Sequence, residues 1–237
     1  MALQVWLPLN GTLENKGLSN VTVTNNGATV DNNGKIGKCY SFDGNNDYIQ
    51  LNTLTLDMSN VSFCVWAKWT SFNSWSRIFD FGITSNGADS DILLANGGTS
   101  STLMVAGRRS GGASLPDTSI TTISLNVWYH IAVVISNNIC KTYINGAFIK
   151  EFSLSGNFGN TTFNNNYLGK SNWSSDKFFK GYMNDFRIYN HALSAKEVKE
   201  ISKGLILHYK LDGNDIGITI PRNGDLIPDG VELYDYI

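Results

Sequence analysis

Residues Gly181–Ile201 read GYMNDFRIYNHALSAKEVKEI, and this stretch decides the fold. Its first half alternates. Tyr182, Asn184, Phe186 and Ile188 fall on one face of an expected strand, and Met183, Asp185, Arg187 and Tyr189 on the other. Its second half changes period. Ser194 and Glu197 stand at the spacing of a capping box, in which the serine hydroxyl accepts the Glu197 backbone N–H and the glutamate reaches back to the Ser194 N–H. Leu193, Val198 and Ile201 make a short apolar stripe, and Gly204 supplies a stop. The stretch therefore reads as a closing strand followed by one or two helical turns.

Working outward, the same punctuation recurs. Val5–Leu9 is an opening strand ended by Asn10-Gly11, and 15–33 is a polar loop with room for one short strand. Cys39–Phe42 and Asp47–Leu51 flank the turn Asp43-Gly44-Asn45-Asn46. Val61–Trp69 carries bulk on both faces, as a central strand does, with Val61, Phe63, Val65, Ala67 and Trp69 on one of them. Arg77–Gly82, Asp91–Leu94, Leu103–Gly107, Val127–Ile135, Ile139–Ile144, Ala147–Phe152 and Tyr167–Lys170 complete the set. Asn137-Asn138 and Asn145-Gly146 are hairpin turns, the latter favoured where both central residues need positive φ. About a dozen short strands with frequent turns predict an all-β, two-sheet antiparallel sandwich with one short C-terminal helix.

The closing stretch resembles the end of the laminin-G-like (LamG), concanavalin A-like lectin/glucanase sandwiches. Phe42–Ile49 (FDGNNDYI), Trp128–Ala132 (WYHIA) and Tyr143–Gly146 (YING) fit the same family in the same order. The resemblance covers residues 1–203 and implies a jelly roll whose first and last strands lie side by side. It does not imply a ligand, because the superfamily holds lectins, glycosidases, adhesion modules and virion parts. After it, Leu207–Gly213 (LHYKLDG) repeats the register of Val5–Gly11 (VWLPLNG). Residues 204–237 are therefore expected to be a linker or the start of a second, truncated module, the alternative being a tail that packs on the sandwich.

Composition excludes several classes. Charged residues are 16% of the 237, the net charge is −2, and no basic run occurs, which argues against nucleic acid as a partner. Arg108-Arg109, the one adjacent arginine pair, reads as a solvated strand end. No apolar run reaches the roughly 20 residues of a membrane helix, so membrane insertion is not expected. The N-terminal residues lack the pattern of a signal peptide. Cys39, Cys64 and Cys140 sit in strand-like stretches and read as buried free thiols.

Catalysis finds little support. Glycosidases need paired carboxylates, yet no closely spaced acid triplet occurs along a strand; Asp89 and Asp91 stand alone beside an Asn/Gly loop. His130 reads as a structural strand residue, and no enzyme is expected. For calcium, Asp43, Asn45 and Asp47 put two carboxylates and an amide in five residues, and Asp185 could join them; the competing reading makes the turn residues local hydrogen-bonding turn-formers. One structural calcium is the only cofactor considered. For sugar, Trp75 and Trp173 lie in polar loops, with Asn172 and Asp176 beside the second; the competing reading is a Trp lid over the core. Trp6, Trp66, Trp69 and Trp128 sit in strand patterns and read as core.

The function expected is a non-catalytic carbohydrate-binding or structural module of a phage or prophage tail, acting in host-surface recognition. Its partners would be cell-surface polysaccharide or glycan and neighbouring modules of the same protein, in a virion or at a cell surface, with a homo-oligomer allowed. The alternatives are a protein-interaction scaffold and an accessory or adhesin domain of a secreted bacterial protein.

Overall fold

The computed structural model describes residues 2–84, 90–109, 114–156 and 158–204. Asp89 and residues 205–237, with the repeat of the opening strand, lie outside them. The strands in chain order are Leu3–Leu7 (β1), Val23–Asn26 (β2), Thr29–Asp31 (β3), Cys39–Asp43 (β4), Tyr48–Leu51 (β5) and Leu54–Asp57 (β6). Next come Asn60–Ser71 (β7), Arg77–Gly82 (β8), Ser90–Asn96 (β9), Thr102–Arg109 (β10), Ser114–Thr122 (β11) and Tyr129–Ser136 (β12). Ile139–Ile144 (β13), Ala147–Ser153 (β14), Asn160–Phe163 (β15), Asn165–Leu168 (β16), Lys180–Tyr189 (β17) and the helix Ala195–Ile201 (α1) follow.

Two antiparallel sheets form the sandwich. The first runs β14-β13-β12-β7-β17-β4-β3, with β1 also paired to β17; the second runs β11-β10-β9-β8-β16-β5-β2; β6 and β15 make a small ribbon. The long strand β7 is central, as its two bulky faces predict. Its Val61, Phe63, Val65, Ala67 and Trp69 enter the core between the sheets, and Cys64 packs outward under α1 with Ala132, Val134 and Tyr143. Phe63 stacks on Phe79 with ring centroids 5.0 Å apart, and Phe81, Phe163 and Phe186 extend the aromatic layer. The three cysteines are free and buried, and burial pushes each thiol up to about 12.

The closing stretch holds the first sheet together, but not by simple alternation. β17 pairs with β4 through Lys180–Met183 and with β1 through Phe186–Tyr189, and the register against β7 shifts between Asn184 and Arg187. Asp185 takes φ +53 at this bulge. The extra residue reverses the faces, so Met183, Phe186 and Ile188 all reach the core while Tyr182 does not. Asn184, 1% exposed, ties the seam. Its Nδ2 donates to the carbonyls of Pro8, Leu9 and Lys38, and its Oδ1 accepts from the Ile36 backbone N–H.

The capping box of α1 is present, with the Ser194 N–H donating to Glu197 at 2.7 Å and the Glu197 N–H to Ser194 Oγ at 3.3 Å. Asn145 and Gly146 have φ +51 and +80, the positive pair expected of their turn. Two tryptophan readings, those of Trp6 and Trp128, need correction. Only Trp69 belongs to the core between the sheets. Trp66 is buried on the outer face of the first sheet against His130, Trp6 is half-buried with its indole donating to Asp185, and half-buried Trp128 packs on Tyr182 beside Lys68. Trp6 and Trp128 each have one flank on the sheet and one toward the surface, an environment that suits an amphipathic ring.

Candidate functional site

Along β9 and β10 the side chains split between two environments. Ile92, Leu94, Leu103 and Val105 enter the main core, whereas Leu93, Ala95, Met104 and Ala106 form a separate apolar patch on the outer face of the second sheet. Half-buried Trp173 packs on that patch from the loop between β16 and β17. Trp75, 38% exposed, comes from the loop between β7 and β8. Together with Arg77, Arg108, Asp117 and Asp176 these residues line a cleft of about 350 Å³, at the small end of ligand sites.

The two loops are fixed. Trp75 is held at φ +53, its N–H donating to the Gly98 carbonyl at 2.9 Å. Asn96 braces the same turn, accepting from Ser76 Oγ at 2.5 Å and donating to the carbonyls of Asn73 and Gly98. The second loop is joined to the first by the Lys177 N–H on the Ser74 carbonyl. Arg77, almost wholly buried, is the common anchor. It donates to Asp80 at 3.2 Å, to Asp176 at 2.7 Å and to the Trp75 carbonyl at 2.8 Å. A buried ion pair adds little net stability, but here it fixes both tryptophan loops to one strand, and such preorganisation lowers the cost of binding.

Arg108 sits across the cleft, 40% exposed at its side chain, and donates to Asp91 at 3.1 Å and Asp117 at 2.8 Å. Both guanidinium groups lie near the Trp173 ring, 5.4 and 5.5 Å from its centroid. Burial raises the Asp91 carboxyl to about 7, against the opposing pull of Arg108. Burial also raises Asp80.

The structure thus brings Trp75, Trp173 and Asp176 into one cleft. Asn172 is set behind it rather than in it. Only 4% exposed, it donates its N–H to Asp80 Oδ2 at 3.1 Å and its amide to Asp80 Oδ1 at 2.7 Å. Arg77, Arg108 and Asp117 carry no site signal in the sequence; Arg108 is a part-exposed strand end that also holds Asp91 and Asp117. The three come from separate strands, and only sheet pairing makes them neighbours.

The four calcium candidates do not converge. Asp43 accepts the backbone N–H groups of Asn45 at 2.8 Å and Asn46 at 3.3 Å, and Asn45 donates its amide to the same carboxylate. Asp47 accepts the Asp43 N–H at 2.9 Å. Asp185 is five residues along β17 from Lys180, the register partner of Asp43, and its carboxylate takes Trp6 and Arg187, each at 2.8 Å. Among the described residues no group of three or more His, Cys, Asp or Glu is placed to hold a metal ion. His130 is fully buried against Trp66, and burial lowers its imidazole to about 3.

The two antiparallel sheets make a jelly-roll sandwich, and the cleft lies on the outer face of the second. The chain belongs to the concanavalin A-like lectin/glucanases superfamily, through a laminin-G-type family model that matches residues 43–199. No curated protein matches the sequence. Among solved structures, domain 4 of an extracellular arabinanase from Geobacillus stearothermophilus, in complex with arabinotriose, is similar. Its TM-score is 0.66 at 23% identity, over 85% of this chain and 98% of that one. The binding domain of Paraclostridial Mosquitocidal Protein 1 aligns with TM-score 0.64 at 18% identity, over 86% of this chain and 52% of that. Trypanosoma rangeli sialidase in complex with the inhibitor DANA follows at 0.62 and 11%, over 84% of this chain and 32% of that. The chain thus spans about half of the toxin domain and a third of the sialidase. At these identities the likeness is one of fold.

Proposed function

We propose that this chain is a non-catalytic carbohydrate-binding module that meets a cell-surface polysaccharide, in the setting of a phage or prophage tail. The observation that carries the sugar reading is the cleft: two loop tryptophans anchored by one buried arginine over an apolar floor, with carboxylates at the rim. Apolar sugar faces suit the aromatic and methionine floor, and hydroxyls suit the acidic rim. The non-catalytic reading rests on the fate of the acids beneath. Asp80 and Asp91 are buried and committed to Arg77 and Arg108, leaving neither free to reach a glycosidic bond. The virion setting rests on the expected tandem repeat and the Asn-rich, weakly charged surface.

The test is a broad array of bacterial and host glycans probed with the folded protein. Trp173→Ala is expected to weaken the binding of any hit about tenfold or more while circular dichroism and melting remain cooperative. Loss of the fold instead would make Trp173 a lid, and silence of the wild type on the array would favour the scaffold alternative.

A further inference from the structure

The cleft has a charge balance that its aromatic content does not reveal. Four carboxyl groups, Asp80, Asp91, Asp117 and Asp176, face two guanidinium groups, Arg77 and Arg108, among the described residues. Arg77 uses three N–H directions on Asp80, Asp176 and the Trp75 carbonyl, and its side chain is 6% exposed. Arg108 points one arm at Asp91 and one at Asp117. The cations are therefore neutralised from within the protein.

The oxygens left for a ligand are acceptors. Asp117 is half-exposed and spends one oxygen on Arg108. Asp176 Oδ2 takes Arg77 and Ser171, while among the described residues Oδ1 has only Ser175 Oγ at 3.5 Å. Asp91 Oδ1 has no partner among the described residues, but it is buried beneath the cleft and does not line it. Even with Asp91 protonated, three carboxylates face two guanidinium groups.

Resting on the sugar reading above, we infer that the cleft selects non-acidic glycans, which present hydroxyl or amine donors to Asp117 and Asp176, and rejects uronate, sialate, sulfate and phosphate sugars. An acidic sugar would have to displace Asp117 or Asp91 from Arg108 and then sit beside the displaced carboxylate. Like charges brought together in a partly desolvated site are a strong element of discrimination. Asp117 is the residue that sets it. It is exposed enough to meet the ligand and is the outer of the two carboxylates on Arg108.

The experiment uses uronic-acid-containing bacterial capsular polysaccharides, each paired with its carboxyl-reduced form, beside a panel of neutral polysaccharides. Binding is read by biolayer interferometry at low and physiological salt. Wild type is expected to bind neutral or carboxyl-reduced members and to bind their acidic parents about tenfold more weakly or not at all. Asp117→Asn is expected to shrink that gap about tenfold, by freeing an arm of Arg108 and removing a rim charge. Equal or tighter binding of the acidic member of a pair overturns the selectivity while leaving the sugar-binding function in place. Unchanged selectivity in Asp117→Asn removes Asp117 as its cause. Failure of the folded wild type to bind any member overturns the sugar reading and the selectivity with it.

Discussion

Asn184→Ala is expected to destabilise the sandwich by about 3–4 kcal/mol, from four hydrogen bonds lost and several backbone groups left unpaired. The residue stands where β17 leaves β4 and takes up β1, and its side chain holds Pro8, Leu9, Lys38 and Ile36 to that point. Alanine keeps the strand but lets the opening segment and the 32–38 loop separate from it. For a domain of this size the loss corresponds to a fall in Tm of about 10 °C, read by calorimetry alongside urea denaturation. Asn184→Asp keeps the acceptor for Ile36 but turns an acceptor toward three carbonyls, so it is expected to be no milder. A loss below about 1 kcal/mol in the alanine variant would show that β17 pairing holds the seam unaided.

The second large effect concerns acid. His130 faces Arg187 from β17 and Trp66 from β7, and its folded pKa of about 3 lies below the ordinary 6.5. The unfolded chain binds the proton first, so His130 withdraws stability as pH falls through 6.5. Asp91 faces Arg108 from β10 and Asp80 from β8, and its folded value of about 7 lies above the ordinary 3.8. Here the folded state binds the proton first, so stability is gained as pH falls through 7; Asp80 adds in the same direction. At about 1.4 kcal/mol per pH unit the two nearly cancel between pH 7.5 and 5. The pH dependence of wild type is therefore expected to lie between those of the two variants. Relative to wild type, His130→Leu should gain about 2 kcal/mol on acidification over this range, and Asp91→Asn should lose about 2–3 kcal/mol. Comparing each variant with itself at the two pH values cancels its packing cost. Parallel profiles in all three proteins would sink this account.

How much of this the residues announce varies by element. β7, the Asn145-Gly146 turn, the capped helix and the buried thiols follow local rules that the chain states openly: period, turn chemistry, caps and apolarity. β11 carries no such signal. Ser114–Thr122 is polar and holds Pro116, and as an edge strand it needs only one partner, so little bulk marks it. The alternation read along β17 fails at Asp185 because a bulge there carries no hydrophobic signature. In the cleft, Trp75 and Trp173 were visible because a tryptophan in a polar loop is unusual. Asn172 looked equally available, yet Asp80 holds it from 92 positions away. Arg77, Arg108 and Asp117 carry no signal of their own, since their meaning depends on which strands the sheet sets side by side.

The place of β17 also bears on biosynthesis. It lies between β7 on one side and β4 and β1 on the other, yet among the described strands it is the last to be made. Until residues 180–189 leave the ribosome, the first sheet exists as three pieces, β14-β13-β12-β7, β4-β3 and β1, with nothing joining them. The nascent chain must keep its phenylalanine-rich inner faces out of trouble while residues 1–180 are made, and then closes through contacts of long sequence separation. Chains that stop short of Lys180 are the ones expected to depend most heavily on chaperones, and to aggregate when these are scarce.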